Sequence, residues 1–338
     1  MATSLAEAKL NALDAVDVQV IDEFAKSSDI LNRMTFDNVV SPTGGDTLTY
    51  GYRRLITQAD AAFRALNTEY TPAEVTTQRY TVDLKPLGGS FNIDRVIARI
   101  GPAASGAVAL NVSQKIKAAR AKFADAVING DVSVDTNGFD GLSKILTGTA
   151  TEYLPLNNGV TTGYVDWTAI NDKATALAAQ VHIDNWLAAM DDTPDVIYGN
   201  RKTLALFKRI AAWCDQLDKT TDAFGRPVTA YNGIPLLNLG AKAGSNNDVI
   251  GLVSRDADAG GAGGSITNLS DLYAVRYGLD GFHGASVGGG APLLSTYLPD
   301  YTTAGAVKTG EVELGPVAPV LKATKAAAVF RNIKVATP

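Results

Sequence analysis

The stretch GPAASGAVALNVSQKIKAARAKFADAVINGD, residues 101–131, decides how the chain is read. Pro102 stands at the first turn of a helix, where its missing N–H would have no partner anyway. Val108, Val112, Ile116, Ala119, Phe123 and Val127 recur at intervals of four and three, the spacing of one helical face. Asn129-Gly130 closes the pattern, glycine being preferred just beyond a helix. The spacing predicts a helix over 102–129, roughly 40 Å long and about twice the average. Lys115, Lys117, Arg120 and Lys122 line its other faces and read as solvated or ion-paired charges, not as a DNA site. Beyond the helix, NGDVSVDTNGFDGL (129–142) is a loop punctuated by glycine.

Upstream lie two runs of period two. Leu48, Tyr50 and Tyr52 alternate with Thr47, Thr49 and Gly51; Tyr80, Val82 and Leu84 alternate with Arg79, Thr81 and Asp83. Both predict strands with one covered face. The two dozen residues between them are far more than a tight turn needs. A long two-stranded excursion is marginal by itself in water, so it needs a surface to lie on. Residues 1–45 are arm-like, with short helical spacings and a break at Ser41-Pro42-Thr43-Gly44-Gly45. Up to Asn32 the arm carries Lys9 and Lys26 against Glu7, Asp14, Asp17, Asp22, Glu23 and Asp29, which excludes a basic nucleic-acid-binding tail there.

From about 150 the character changes. Asp166 is expected to cap a helix with the stripe Ile170, Ala174, Leu177, Val181 and Trp186. Strands are expected at 195–198, in a pair around Asn232-Gly233 (228–239), at 249–253, 272–277, 307–313 and 327–335. A second helix over 201–215 carries Leu204, Phe207, Ile210 and Cys214 on one side. The stretch 256–270 is rich in glycine and reads as a loop. The order is α+β, not a regular βαβ alternation.

Chemistry is scarce. His182 and His283 lack any metal-ligand spacing, and Cys214 falls on the apolar side of its helix, so neither a zinc site nor a thiol nucleophile is indicated. No nucleophile elbow or Walker loop is present, and the glycines at 260, 261, 263 and 264 follow no strand–turn–helix signal. Asp191-Asp192 reads as a solvated turn before Thr193-Pro194. We therefore expect no enzyme, no catalytic residues, no cofactor and no metal. With 338 residues, 46% hydrophobic and a net charge of −5, the chain is large enough for a substantial core and shows no basic face for duplex DNA. A single cysteine gives no disulfide framework, and no apolar run approaches the ~18 residues of a membrane span. A free arm, an over-long hairpin and a long helix are instead surfaces that one chain cannot easily cover.

The order and spacing of these elements resemble the tailed-bacteriophage major capsid proteins, with the Hong Kong-ninety-seven-type fold. The resemblance covers nearly the whole chain. It rests on the arm, the extended loop, DRVIARIGPAASGAVALNVSQKIKAARAKFADAVINGD (94–131) as spine helix, and the segments RKTLALFKRI (201–210), GRPVTAYNGIPLLNL (225–239) and DLYAVRYGLDGFHG (271–284). It implies an N-terminal arm (1–45), an extended β-hairpin loop (46–84), a peripheral domain with the spine helix (85–150), an axial domain (151–300) and a return to the peripheral domain (301–338). Gly130, Gly138 and Gly141 would give the backbone the freedom to turn from one domain to the next.

The implied function is structural: a major head protein of the virion that self-assembles into pentamers and hexamers of an icosahedral shell around double-stranded DNA, in the cytoplasm of a bacterial host. Its partner would be itself, with a portal, any separate scaffolding or cementing proteins, and packaged DNA held without sequence-specific binding; no membrane is implied. The same fold in an encapsulin, a nanocompartment enclosing a cargo enzyme, is the alternative. Inter-subunit contacts are expected from Tyr50, Tyr52, Arg53, Arg54, Phe63, Arg64, Arg79 and Tyr80, and Val112, Ile116, Phe123 and Val127 are expected in the spine-helix core. The arm is expected to start within a few residues of Met1, where some members carry a long scaffolding segment, so either a separate scaffolding protein or none is expected. Some members weld neighbours by an isopeptide bond from a lysine on the extended loop; residues 46–84 contain four arginines and no lysine, so no such bond is expected here.

Overall fold

The computed structural model of the protein describes residues 29–40, 48–72, 74–97, 102–155, 163–221, 227–256, 265–287 and 294–336. Most of the arm (1–28) and the glycine run 257–264 lie outside the described residues. The long helix spans Pro102–Asn129, as its periodicity predicts.

Two sheets flank this helix. The smaller joins β1 (Phe36–Val40), β4 (Lys85–Asp94), β13 (Phe282–Val287), β14 (Leu294–Tyr297) and β15 (Val307–Leu321). Its backbone is β15, which pairs antiparallel with β4 from Val307↔Asp94 to Val317↔Lys85, with a register shift between Leu314 and Val317. Gly315-Pro316 occupies that shift, where a missing N–H is tolerated. Toward its end β15 pairs with β13, from Val317↔Ser286 to Leu321↔Phe282, and β1 adds to β13 in parallel.

The larger sheet has β12 (Ser265–Val275) between β16 (Ala327–Lys334) and β7 (Val196–Tyr198). It continues through β10 (Ile234–Leu237) and β9 (Pro227–Tyr231) to β8 (Leu217–Thr221). β5 (Glu152–Tyr153) and β6 (Val165–Asp166) add to β16, and β11 (Val253–Asp256) to β12. The β9–β10 turn places Asn232 and Gly233 at φ 48° and 80°, the left-handed pair that a tight hairpin requires. Two helices, Lys173–Leu187 and Arg201–Trp213, cover one face of this sheet through Ile183, Trp186, Phe207 and Ile210.

A second core joins the other face of the large sheet to the small one. Phe123, Val127 and Ile128 of the long helix meet Tyr198, Tyr273 and Val329 from one sheet and Phe282, Val317 and Leu321 from the other. This core takes in the long helix only from Phe123 onward. Phe123 and Val127 are therefore buried as expected, whereas Val112 and Ile116 are only half-buried within the chain, which corrects their placement in the core.

Other expectations are corrected. Asp166 caps a short 3-10 turn at Trp167–Ala169; Asp172 caps the following helix, in a capping box with Thr175. That helix buries Ala176, Ala179, Ile183 and Trp186, while Leu177 and Val181 face outward, so it is apolar on both sides. Residues 327–334 sit beside β12 inside the larger sheet, and β13 already belongs to the smaller one. The chain thus crosses to the smaller sheet near 276–282 and returns to the large sheet after 321. The expected strand at 249–253 begins only at Val253.

Candidate assembly surface

The extended loop is a separate two-stranded sheet of β2 (Thr49–Thr57) and β3 (Thr76–Asp83). The register runs from Thr49↔Asp83 through Tyr52↔Tyr80 to Thr57↔Thr76, longer than its alternation alone predicts. Thr49 and Asp83 tie the open end by a 2.9 Å side-chain hydrogen bond, and the Leu84 N–H donates to the Leu48 carbonyl at 2.8 Å.

Its base sits on the chain's own small sheet. Tyr50 is only 4% exposed and packs with Leu84, Ala285, Ala318 and Val320. Its hydroxyl donates to Asp37 Oδ2 at 2.8 Å, and its ring meets His283 edge-on at 5.8 Å. Burial and this carboxylate push the Tyr50 hydroxyl well above the usual phenol range. The Tyr52 hydroxyl donates to the Leu321 carbonyl at 3.1 Å. Arg54 donates to the Lys322 carbonyl at 2.7 Å and to the Leu321 carbonyl, with its guanidinium 4.6 Å from the Tyr80 ring centre. Tyr52 and Tyr80 stack at 5.7 Å. The expectation that Tyr50 serves a neighbour is corrected, because its own chain already covers the ring. Arg54 likewise has donors engaged within the chain.

Farther out the hairpin has no cover. Phe63 and Leu66 are 108% and 91% exposed, and Leu55, Ile56, Tyr70 and Val75 are exposed as well. The tip is held locally: Arg64 donates to the Thr68 carbonyl at 3.2 Å and stands 5.3 Å from the Tyr70 ring centre. Arg53 and Arg79 lie directly opposite one another across the strands, both exposed, and neither makes an ion pair among the described residues. Like charges in directly opposed positions are destabilising.

The helix-to-loop junction explains its glycines by space, not by left-handed backbone. A Cβ on Gly130 would stand 2.3 Å from the Phe139 carbonyl oxygen, and one on Gly141 would stand 2.6 Å from the Ala126 oxygen and the Gly130 nitrogen. The Gly141 N–H donates to the Gly130 carbonyl at 2.9 Å, closing the loop on the helix end. Gly138 meets no such crowding. Lys144 pairs with Asp131 and, at 3.3 Å, with Asp140. Its hydrogen bond, with those from Ser133, holds the Asp131 carboxyl down at about 2.

The sequence singled out few reactive groups, and the structure keeps them apart. The Tyr153 hydroxyl and His182 Nδ1 share a 2.7 Å hydrogen bond beside the helix Lys173–Leu187. Burial lowers the His182 basicity and raises that of the Cys214 thiolate. Arg276 pairs with Asp191 at 2.9 Å and with Asp280 at 3.1 Å. Among the described residues no three His, Cys, Asp or Glu side chains gather as a metal site, and no helix is long and apolar enough to cross a membrane. One cluster went unread in the sequence. Arg331, buried in β16, pairs with Glu152 and lies 3.5 Å from Asp271, which Arg255 grips with two hydrogen bonds of 2.6 and 2.7 Å. Arg331 also donates to the Ser143 carbonyl at 2.6 Å and the Thr147 hydroxyl at 3.0 Å. The group is balanced in charge and staples 143–152 to the large sheet.

No protein-family profile matches the chain, and no curated protein matches it in sequence. Solved structures do match in shape. The SrpI encapsulin complex from Synechococcus elongatus superposes with a TM-score of 0.62 at 15% identity, covering 99% of this chain and 98% of that one. The capsid of Myoviridae phage XM1 gives 0.55 at 13% identity, over 95% and 97%. The capsid of the native GTA particle gives 0.53 at 16% identity, over 94% and 96%. The chain therefore has the Hong Kong-ninety-seven-type fold of phage capsids, an α+β architecture that encapsulins share.

Proposed function

We propose that this chain is the major capsid protein of a tailed phage, assembling as pentamers and hexamers into an icosahedral shell around double-stranded DNA. The observation that carries the reading is the hairpin: in a chain with this fold, an arm of sheet projects with Phe63 and Leu66 almost wholly exposed. Isolated two-stranded sheets are marginal, and exposed apolar clusters of this kind mark interaction sites. A second copy would cover Phe63 and Arg64, stack on Tyr80, and supply carboxylates to the opposed Arg53 and Arg79. Permanent assemblies bury roughly 2,000–5,000 Å² per interface, an area that a reaching hairpin helps to provide.

In this reading the small sheet and long helix form the peripheral domain, and the large sheet with its two helices forms the axial one. The half-buried Val112 and Ile116, and the outward Leu177 and Val181, are further surfaces for neighbouring copies. The role is structural rather than catalytic. An acidic wall suits a container through which DNA must move, since phosphate contacts from the wall would hold it back. A portal, and any separate scaffolding or cementing proteins, would be its further partners.

The encapsulin reading has one observation in its favour, the TM-score of 0.62 to the SrpI complex against 0.53–0.55 for the two capsids. Purified particles separate the two. Nuclease-protected duplex DNA filling the shell is expected; a stoichiometric protein cargo found by mass spectrometry, with no DNA, would replace the phage reading by the encapsulin one.

A further inference from the structure

Period two splits β13 between two environments. Phe282 enters the main core, whereas His283 and Ala285 face the other way, beneath the hairpin base. His283 is 0% exposed, and neither ring nitrogen has a hydrogen-bond partner. An imidazole normally finds at least one partner when buried, because an unsatisfied polar atom is costly there. Above it lie Tyr50 and the apolar patch of Leu84, Ala318 and Val320. The charged groups around it come from three places. Lys322, after β15, stands 5.4 Å from the Tyr50 ring centre and 3.7 Å from Asp37 of β1, and Asp280 lies in the turn before β13.

We propose that His283 is an acid-sensitive latch under the hairpin: neutral, it lets Tyr50 close the seat, and protonated, it drives the base of the hairpin off the small sheet. A charged imidazole under the seated hairpin has only the Gly281 backbone near it as an acceptor and lies near the Lys322 ammonium, while Asp37 is engaged by Tyr50 and Lys322. Lifting the base gives the ring water. The direction follows from linkage. Burial first, and then Lys322, lower the basicity of His283 in the seated state below its ordinary 6.5, against smaller opposing effects of Asp37, the Gly281 backbone and Asp280. The seat is thus fully favoured above about 6.5 and loses stability as pH falls below it. If the seated ring stays neutral throughout, the lifted fraction rises by up to about 25-fold between pH 7 and pH 5. The consequence for assembly, a hairpin freed to reorient against a neighbouring copy, rests on the shell reading; the latch itself does not.

The test is hydrogen–deuterium exchange of β2 and β3 on the purified full chain at pH 7 and pH 5, corrected for intrinsic exchange rates. Faster exchange confined to the hairpin base at pH 5 is expected. His283→Gln and His283→Leu should abolish that rise. Asp37→Asn should loosen the seat at both pH values and leave the rise in place. An unchanged hairpin at pH 5, or a full rise surviving in both His283 variants, would overturn the latch. Should those variants fail to fold, imidazole titration by NMR in the unaltered chain, which has two histidines, decides it: a His283 that protonates near 6.5 with the hairpin still protected excludes the mechanism. Exchange is read on the chain whether or not shells form, so failed assembly would overturn the proposed function and leave this inference standing.

Discussion

Phe123→Ala strikes the point where the long helix meets both sheets. The ring is 0% exposed, 6.0 Å edge-on to Phe139 and 6.4 Å from Phe36. Truncating a fully packed phenylalanine costs about 3–5 kcal/mol, the transfer term plus the cavity left behind. For 338 residues an unfolding entropy near 2.1 cal/mol/K per residue gives about 0.7 kcal/mol/K in total, so Tm should fall by roughly 4–7 °C. Circular dichroism melting of unassembled subunits reads this directly. Ile116→Ala, half-buried on the same helix, should cost about 1–2 kcal/mol and roughly 1–3 °C by the same conversion. A Phe123 shift below about 2 °C, or an Ile116 shift equal to it, would refute the claim that the shared core takes in the helix only from Phe123 onward.

Two further outcomes are expected. Arg331→Met should destabilise the subunit by about 3–5 kcal/mol, since it leaves Glu152 buried without its cation; adding Glu152→Gln should restore part of the loss, as chemical denaturation would show. Particles boiled in detergent should run as a single monomer band, because residues 46–84 hold no lysine and a guanidinium is not a usable nucleophile; a ladder with an isopeptide mapped to that loop would exclude the idea.

The long helix was legible to its ends because one proline, one apolar stripe and one Asn-Gly pair agree on them. The hairpin was legible as alternation, but not the seat beneath it. That Tyr50 turns inward depends on β13 and β15, more than two hundred residues away, and local spacing carries no trace of them. The helix Lys173–Leu187 misled for another reason. Ala174, Leu177 and Val181 form as good a stripe as Ala176, Ala179 and Ile183, and only the sheet decides which one is inside. β4 was missed because Pro86, Gly88 and Gly89 are poor strand formers that the partner strand β15 overrides. The Arg331 cluster joins residues from five separate segments, and single charges scattered among apolar residues give no periodic signal. Phe63 and Arg64 at the tip could be singled out in the sequence as contact residues, but the near-complete exposure of Phe63 is a fact of the folded chain.

Cryo-electron microscopy of the purified protein tests the shell reading most directly. Closed icosahedral particles built of five- and six-membered rings are expected, with the tip from Phe63 to Tyr70 buried against an adjacent copy. Monodisperse monomers, or particles in which that tip remains in solvent, would contradict it.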